Sequence, residues 1–147
     1  MYTPEELLEK NLYILYTNVG TSMLPLLRQR RDIIEIHKKE PGRCKKYDVV
    51  LYKCRDKYVL HRILMVRKND YVICGDHSIR REYGITDAQI LGVMTRVIRD
   101  GKSVYPSDWK YKLYIHMWCD FYYIRASILY ILMRSRYIVQ KVKRMFG

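Results

Sequence analysis

At 147 residues the chain has room for one domain and an appendage, and its 49% apolar to 29% charged residues strike an ordinary globular balance. A net charge of +13, from 28 Lys and Arg against 15 Asp and Glu, favours an anionic partner surface, either lipid headgroups or nucleic acid. The four cysteines, Cys44, Cys54, Cys74 and Cys119, form no CxxC pair and no close Cys/His cluster, which argues against a zinc site and for buried free thiols in a reducing compartment.

Thr3-Pro4-Glu5-Glu6 reads as a helix start, with Thr as cap, Pro in the first turn and acids at the positive end, and the helix is expected to run to about Asn11. Residues 12–19 are rich in Tyr, Ile and Leu and predict a strand leading into a turn at Ser22. No N-terminal leader or anchor is read here, because residues 1–10 are polar and acidic and 12–16 are too few to span a bilayer. A short helical turn is expected over 23–29. Residues 32–37 alternate as a strand, and Pro41-Gly42 breaks it.

Further strands are predicted at 48–54, 58–67 and 71–74, joined by tight turns at Arg55-Asp56-Lys57 and Lys68-Asn69-Asp70. Residues 75–84 read as a polar loop and Thr86 to Gln89 as a bend. A long strand follows at 90–99, and Asp100-Gly101 signals a hairpin into 103–105, with Pro106 closing the domain. Short strands with tight turns predict a mainly β, antiparallel and partly closed fold. The expected organisation is an N-terminal helix and lead-in strand over 1–18, a β domain over 19–106 and a basic, aromatic, amphipathic helical tail over 107–147.

That tail holds eight basic residues and one acid, Asp120, between Lys110 and Gly147. Phe121, Ile124, Ile128, Ile131, Leu132, Ile138, Val139, Val142, Met145 and Phe146 fall near one helical face, and most of the basic residues fall on others. Residues 113–133 are long enough to cross a membrane but contain His116, Asp120 and Arg125, so a helix lying in the interface is expected. The tail therefore predicts peripheral attachment to an anionic membrane through residues 111–147, on the cytoplasmic side. Nucleic acid is the weaker partner reading, because no helix-turn-helix or aromatic RNA-binding motif accompanies the charge.

Three short patches carry the chemistry. Ser22 lies in Gly20-Thr21-Ser22-Met23-Leu24-Pro25, His61 opens His61-Arg62-Ile63 about forty residues later, and Gly75-Asp76 follows. They supply a nucleophile, a base with a pKa near neutrality and a carboxylate, the parts needed to cleave an acyl bond. On their own terms these residues also admit plainer roles. Ser22 can cap the turn that follows it. His61 can be a core histidine satisfied by a carbonyl. Asp76 can be a solvated acid or a partner of Arg80 or Arg81. Arg62 reads as a structural ion-pair partner, and His37, His77 and His116 show no partner spacing.

Together with Lys46-Tyr47-Asp48-Val49-Val50-Leu51-Tyr52, these patches resemble, in the family's order from about Val19 to Val97, the serine peptidases that comprise type I signal peptidases and LexA-like repressors. The resemblance implies that Ser22 is the nucleophile. It implies that His61 occupies the base position, as in the endoplasmic-reticulum and spore-former branch, where the bacterial housekeeping branch uses lysine. That branch has a second acid a few residues beyond the Gly-Asp pair, and Glu82 stands in the matching place, so Asp76 and Glu82 are both candidate catalytic acids. The backbone N–H of Ser22 is the candidate oxyanion donor. Many signal peptidases add a side-chain hydroxyl two residues before the nucleophile, and here that residue is Gly20. The implied activity is a serine endopeptidase that cuts leader or signal-type peptides after small residues, with no cofactor and no metal. An inactive peptidase-like module that binds peptides or membranes is the alternative.

Overall fold

In the computed structural model, residues 2–17 and 19–146 are described, less the side chains of Lys143, Met145 and Phe146; the readings above that fall on Met1, Asn18, Gly147 and those three side chains lie outside the described residues. A capping box starts the first helix, α1 (Pro4–Lys10): the Thr3 hydroxyl accepts from the Glu6 N–H at 3.2 Å, and the Glu6 carboxylate accepts from the Thr3 N–H at 2.8 Å. The strands are β1 (Tyr13–Thr17), β2 (Ile33–Lys38), β3 (Val49–Cys54), β4 (Lys57–Val66), β5 (Tyr71–Cys74), β6 (Glu82–Ile85), β7 (Ile90–Arg99) and β8 (Lys102–Val104). The helices α2 (Trp109–Trp118) and α3 (Tyr122–Phe146) end the chain.

All pairings are antiparallel, in the order β1-β2-β7-β3-β4-β5-β6, with β8 hydrogen-bonded to β7. The mainly β, antiparallel architecture is as expected. The expected partial closure is corrected: the sheet ends on the edge strands β1 and β6 and does not close. The 75–84 loop is also corrected, since its last three residues enter β6, which pairs with β5 through Ile73 opposite Glu82. The hairpin at Asp100-Gly101 forms as the dipeptide demands, both residues having positive φ (49° and 77°).

Strand β3 explains how two faces are filled. Its first four residues are all buried, and they alternate between two apolar clusters. Val49 and Leu51 join Leu8, Met23, Leu27, Ile34 and Met94 on one side. Val50 and Tyr52 join Ile63, Tyr71, Ile73, Ile85 and Ile90 on the other. Tyr111 and Ile115 of helix α2, and Cys119 just after it, belong to the first cluster, so the helix packs on the sheet. Among the described residues no helix is long and apolar enough to cross a membrane.

Candidate active site

Strand β4 sends alternate side chains to opposite faces, and β3 sets their neighbours: His61 lies opposite Val50 and Arg62 opposite Val49. His61 therefore joins the second face beside Tyr52, two residues from Val50, while Arg62 enters the first face beneath α2. Sequence alternation placed Val59, His61 and Ile63 together, and both apolar members of that set pack in the second cluster.

Ser22 sits in the turn that follows β1 and is half-buried. Two buried residues, Met23 and Leu27, anchor that turn in the first cluster, and the Leu24–Pro25 peptide within it is cis. Across the site, the His77 N–H donates to the Ser22 carbonyl at 2.7 Å. This ties the serine turn to the segment between β5 and β6.

Gly75 packs between the Ser22 backbone and the His61 ring. A Cβ on Gly75 would lie 2.6 Å from the Ser22 carbonyl oxygen and 3.0 Å from His61 Nε2. Only a residue without a side chain leaves that space, and through it Ser22 and the imidazole share one contact point. The His61 ring turns Nε2 toward this point and Nδ1 away from it. No hydrogen bond joins the Ser22 hydroxyl to His61 among the described residues.

Nδ1 meets Glu82 Oε1 at 2.9 Å and the Tyr52 hydroxyl at 3.1 Å. An ionised carboxylate can only accept, so Nδ1 carries the proton and Nε2 keeps its lone pair. Burial, reinforced by the Glu82 carboxylate, raises the Tyr52 phenol above its ordinary range, so the hydroxyl stays protonated: its oxygen accepts from Nδ1 and its own proton is directed to Glu82. Burial also lowers the pKa of His61, whose side chain is 12% exposed, and the charges of Glu82 and Asp76 offset part of that shift. The ring is therefore neutral at neutral pH, the state a general base requires.

Asp76 takes a different position. Its side chain is fully buried and receives Arg62 in a two-pronged contact, Nε to Oδ1 at 2.8 Å and Nη2 to Oδ2 at 2.7 Å. The Tyr114 hydroxyl donates to Oδ2 at 2.8 Å, and Trp118 Nε1 donates to the Asp76 carbonyl at 2.8 Å. Burial alone would lower the Arg62 pKa, but the Asp76 carboxylate outweighs it and holds the guanidinium charged. Of the two candidate acids, Glu82 is the one that touches His61, and Asp76 is the partner of Arg62 rather than of Arg80 or Arg81.

The side chains of His37 and His116 are engaged elsewhere. His37 meets Glu35 at 3.0 Å and His116 meets Asp120 at 2.7 Å, while His77 contributes only its backbone N–H. Three of the four free cysteines are buried, and among the described residues no group of His, Cys, Asp and Glu could hold a metal ion. Sequence reasoning missed Tyr52, Gly75 as the shared contact and the His77 N–H. Tyr52 could have been found from strand alternation, because it lies on the same face as Val50 and thus as His61. The other two depend on the path of a loop and leave no local signal. Comparison with protein-family models, curated proteins and solved structures finds no match.

Proposed function

We propose that the chain is a serine endopeptidase of the type I signal peptidase and LexA-like kind, with Ser22 as nucleophile, His61 as base and Glu82 as the acid that orients it. The observation that carries this reading is that the Ser22 carbonyl and His61 Nε2 border the same space at Gly75, while Nδ1 is held by Glu82. In the proposed reaction, Ser22 Oγ attacks the peptide carbonyl carbon as His61 Nε2 takes its proton. The Ser22 N–H faces the oxyanion that forms. Collapse breaks the C–N bond, the imidazolium returns the proton to the leaving amine, and an ester to Ser22 remains. Water, deprotonated by the same nitrogen, then releases the peptide acid and restores the hydroxyl. No cofactor or metal enters this scheme. Substrates are extended leader or signal-type peptides with small residues before the cut. The basic C-terminal helix holds the protein on an anionic membrane, peripherally and on its cytoplasmic side, where such peptides are delivered.

The absence of a Ser22–His61 hydrogen bond among the described residues favours a second reading, a peptide-binding module without turnover. Catalytic hydrogen bonds often tighten only when substrate is present, so geometry without substrate does not choose between the two. One experiment does. Wild-type and Ser22→Ala proteins are incubated with a panel of leader-like peptides and products are read by mass spectrometry. The peptidase reading expects cuts after small residues by the wild type and background levels by the variant. Equal turnover by the two proteins removes Ser22 as nucleophile, and binding without turnover by either establishes the module.

A further inference from the structure

The arginines of the β body divide into two groups. Between residues 2 and 106 there are eleven, and seven of them, Arg28, Arg31, Arg43, Arg62, Arg67, Arg96 and Arg99, pair with carboxylates. Among the described residues, Arg30, Arg55, Arg80 and Arg81 have no such partner. Three of those four line a single cavity of about 690 Å3, together with Ser78, Glu82 and Tyr83. Arg81 spreads its guanidinium over the Tyr122 ring, 3.7 Å from the centroid, and its Nε is buried without a hydrogen-bond partner. The only acid on the wall, Glu82, is already engaged by His61. The cavity wall therefore carries three arginines, two of them with unengaged guanidinium groups, and one occupied carboxylate.

We propose that this cavity binds the carboxylate side chain of an Asp or Glu in the peptide that the site processes, an inference that rests on the peptidase reading for calling that peptide a substrate. Guanidinium groups present paired N–H donors in a planar fork that matches a carboxylate, and such charge-assisted bonds are roughly twice as strong as neutral ones. The cavity has the size of a pocket for side chains. It offers Tyr83 alone among aromatic residues, whereas single-stranded nucleic acid is bound by successive stacking platforms along a basic track. Its position fits a specificity site. Ser78 and Glu82 on its wall belong to the segment that begins at Gly75, where an added Cβ would meet the Ser22 carbonyl and the His61 ring. A peptide whose scissile bond lies at Ser22 reaches the cavity with a residue a few positions along the chain.

The test uses binding, so that it does not depend on turnover. A fluorescent leader-like peptide is scanned with Asp or Glu, and with Asn or Gln, at each position in turn. Each peptide is titrated against full-length Ser22→Ala protein by fluorescence polarisation. An acidic residue at one or two adjacent positions is expected to tighten binding about tenfold over its amide counterpart, as two charge-assisted contacts in a partly exposed site provide. Adding Arg55→Gln and Arg80→Gln, both on exposed side chains without partners, is expected to bring that ratio close to one. In the Ser22 protein the same pair of changes leaves cleavage of a neutral peptide unaltered. A preference that is absent, that is spread evenly along the peptide as net charge alone would give, or that survives the double variant overturns the site. Tighter binding of a single-stranded oligonucleotide, lost in the same variant, also overturns it. A positional preference without cleavage in the Ser22 protein leaves the site standing and defeats the peptidase reading.

Discussion

The two nitrogens of His61 face different chemistry, and that difference can be measured. Burial lowers the pKa of the ring below its ordinary value of 6.5, and the Glu82 charge works against burial. Activity that needs neutral His61 should therefore rise with pH along a limb whose midpoint lies below 6.5. Glu82→Gln removes the charge that opposes burial, so the limb should move to still lower pH. The rate on the plateau should fall by about two to four orders of magnitude, the scale for losing the carboxylate that orients a general base. A kcat/KM profile of the two proteins across pH 4–8 checks both effects; a limb that moves upward assigns the titration to another group. The sign carries over to stability. A histidine whose folded pKa is depressed contributes stability that is fully present above pH 6.5 and is lost as pH falls through the folded value. Ser22 and His61 were singled out in the sequence because each stands in a short motif, and the fold brings the Ser22 carbonyl and the His61 ring to the same space at Gly75. The choice between Asp76 and Glu82 was not legible there, since a loop of unknown path gives either carboxylate equal access to an imidazole.

Strands and helices meet at Asp76, and the consequence of breaking that meeting is energetic. Arg62 comes from β4, Tyr114 and Trp118 come from α2, and all three bind one aspartate at the end of β5. From the start of α3, Tyr122 donates to the Ile79 carbonyl and Arg125 donates to the Ser78 carbonyl at 3.3 Å. Side chains at 114, 118, 122 and 125 thus grip the connection that carries Gly75 and leads to Glu82. Asp76→Asn leaves a buried guanidinium without its counter-charge, which should lower the unfolding free energy by about 3 kcal/mol. Chemical denaturation monitored by tyrosine and tryptophan fluorescence measures it, and an unchanged midpoint removes the pair from the fold's support. Any loss of activity in this variant should follow the loss of folded protein, in contrast to Glu82→Gln. At this scale most strands were legible, because alternation and turn dipeptides mark them. Strand β6 was not: Glu82-Tyr83-Gly84-Ile85 is short, holds an acid, and has a glycine at φ 77°, so its pairing comes from β5 rather than from its own propensity.

The whole molecule is lopsided in charge, and α3 concentrates that asymmetry on an exposed face. Arg125 and Leu129 are buried against the body, whereas residues 130–142 and Arg144 are all exposed. Ile131, Leu132, Ile138, Val139 and Val142 form the apolar side of that stretch, flanked by Arg134, Arg136, Lys141 and Arg144, and no acid follows Asp120. Water is a poor partner for such a face. A headgroup layer would accommodate it as proposed, taking the apolar side chains below and leaving the basic groups at the phosphates. Each basic residue near an anionic surface contributes about 1 kcal/mol, so replacing these four by Gln should weaken partitioning into anionic vesicles by about a hundredfold to a thousandfold. Sedimentation with vesicles of phosphatidylcholine and phosphatidylserine, at low and at high salt, reads the change directly. The wild type should bind at low salt, release as screening shortens the reach of its charges, and bind neutral vesicles far less. Retention of the four-residue variant at the wild-type level would remove α3 as the proposed membrane contact. It would leave this helix with its other role, gripping the segment beside His61.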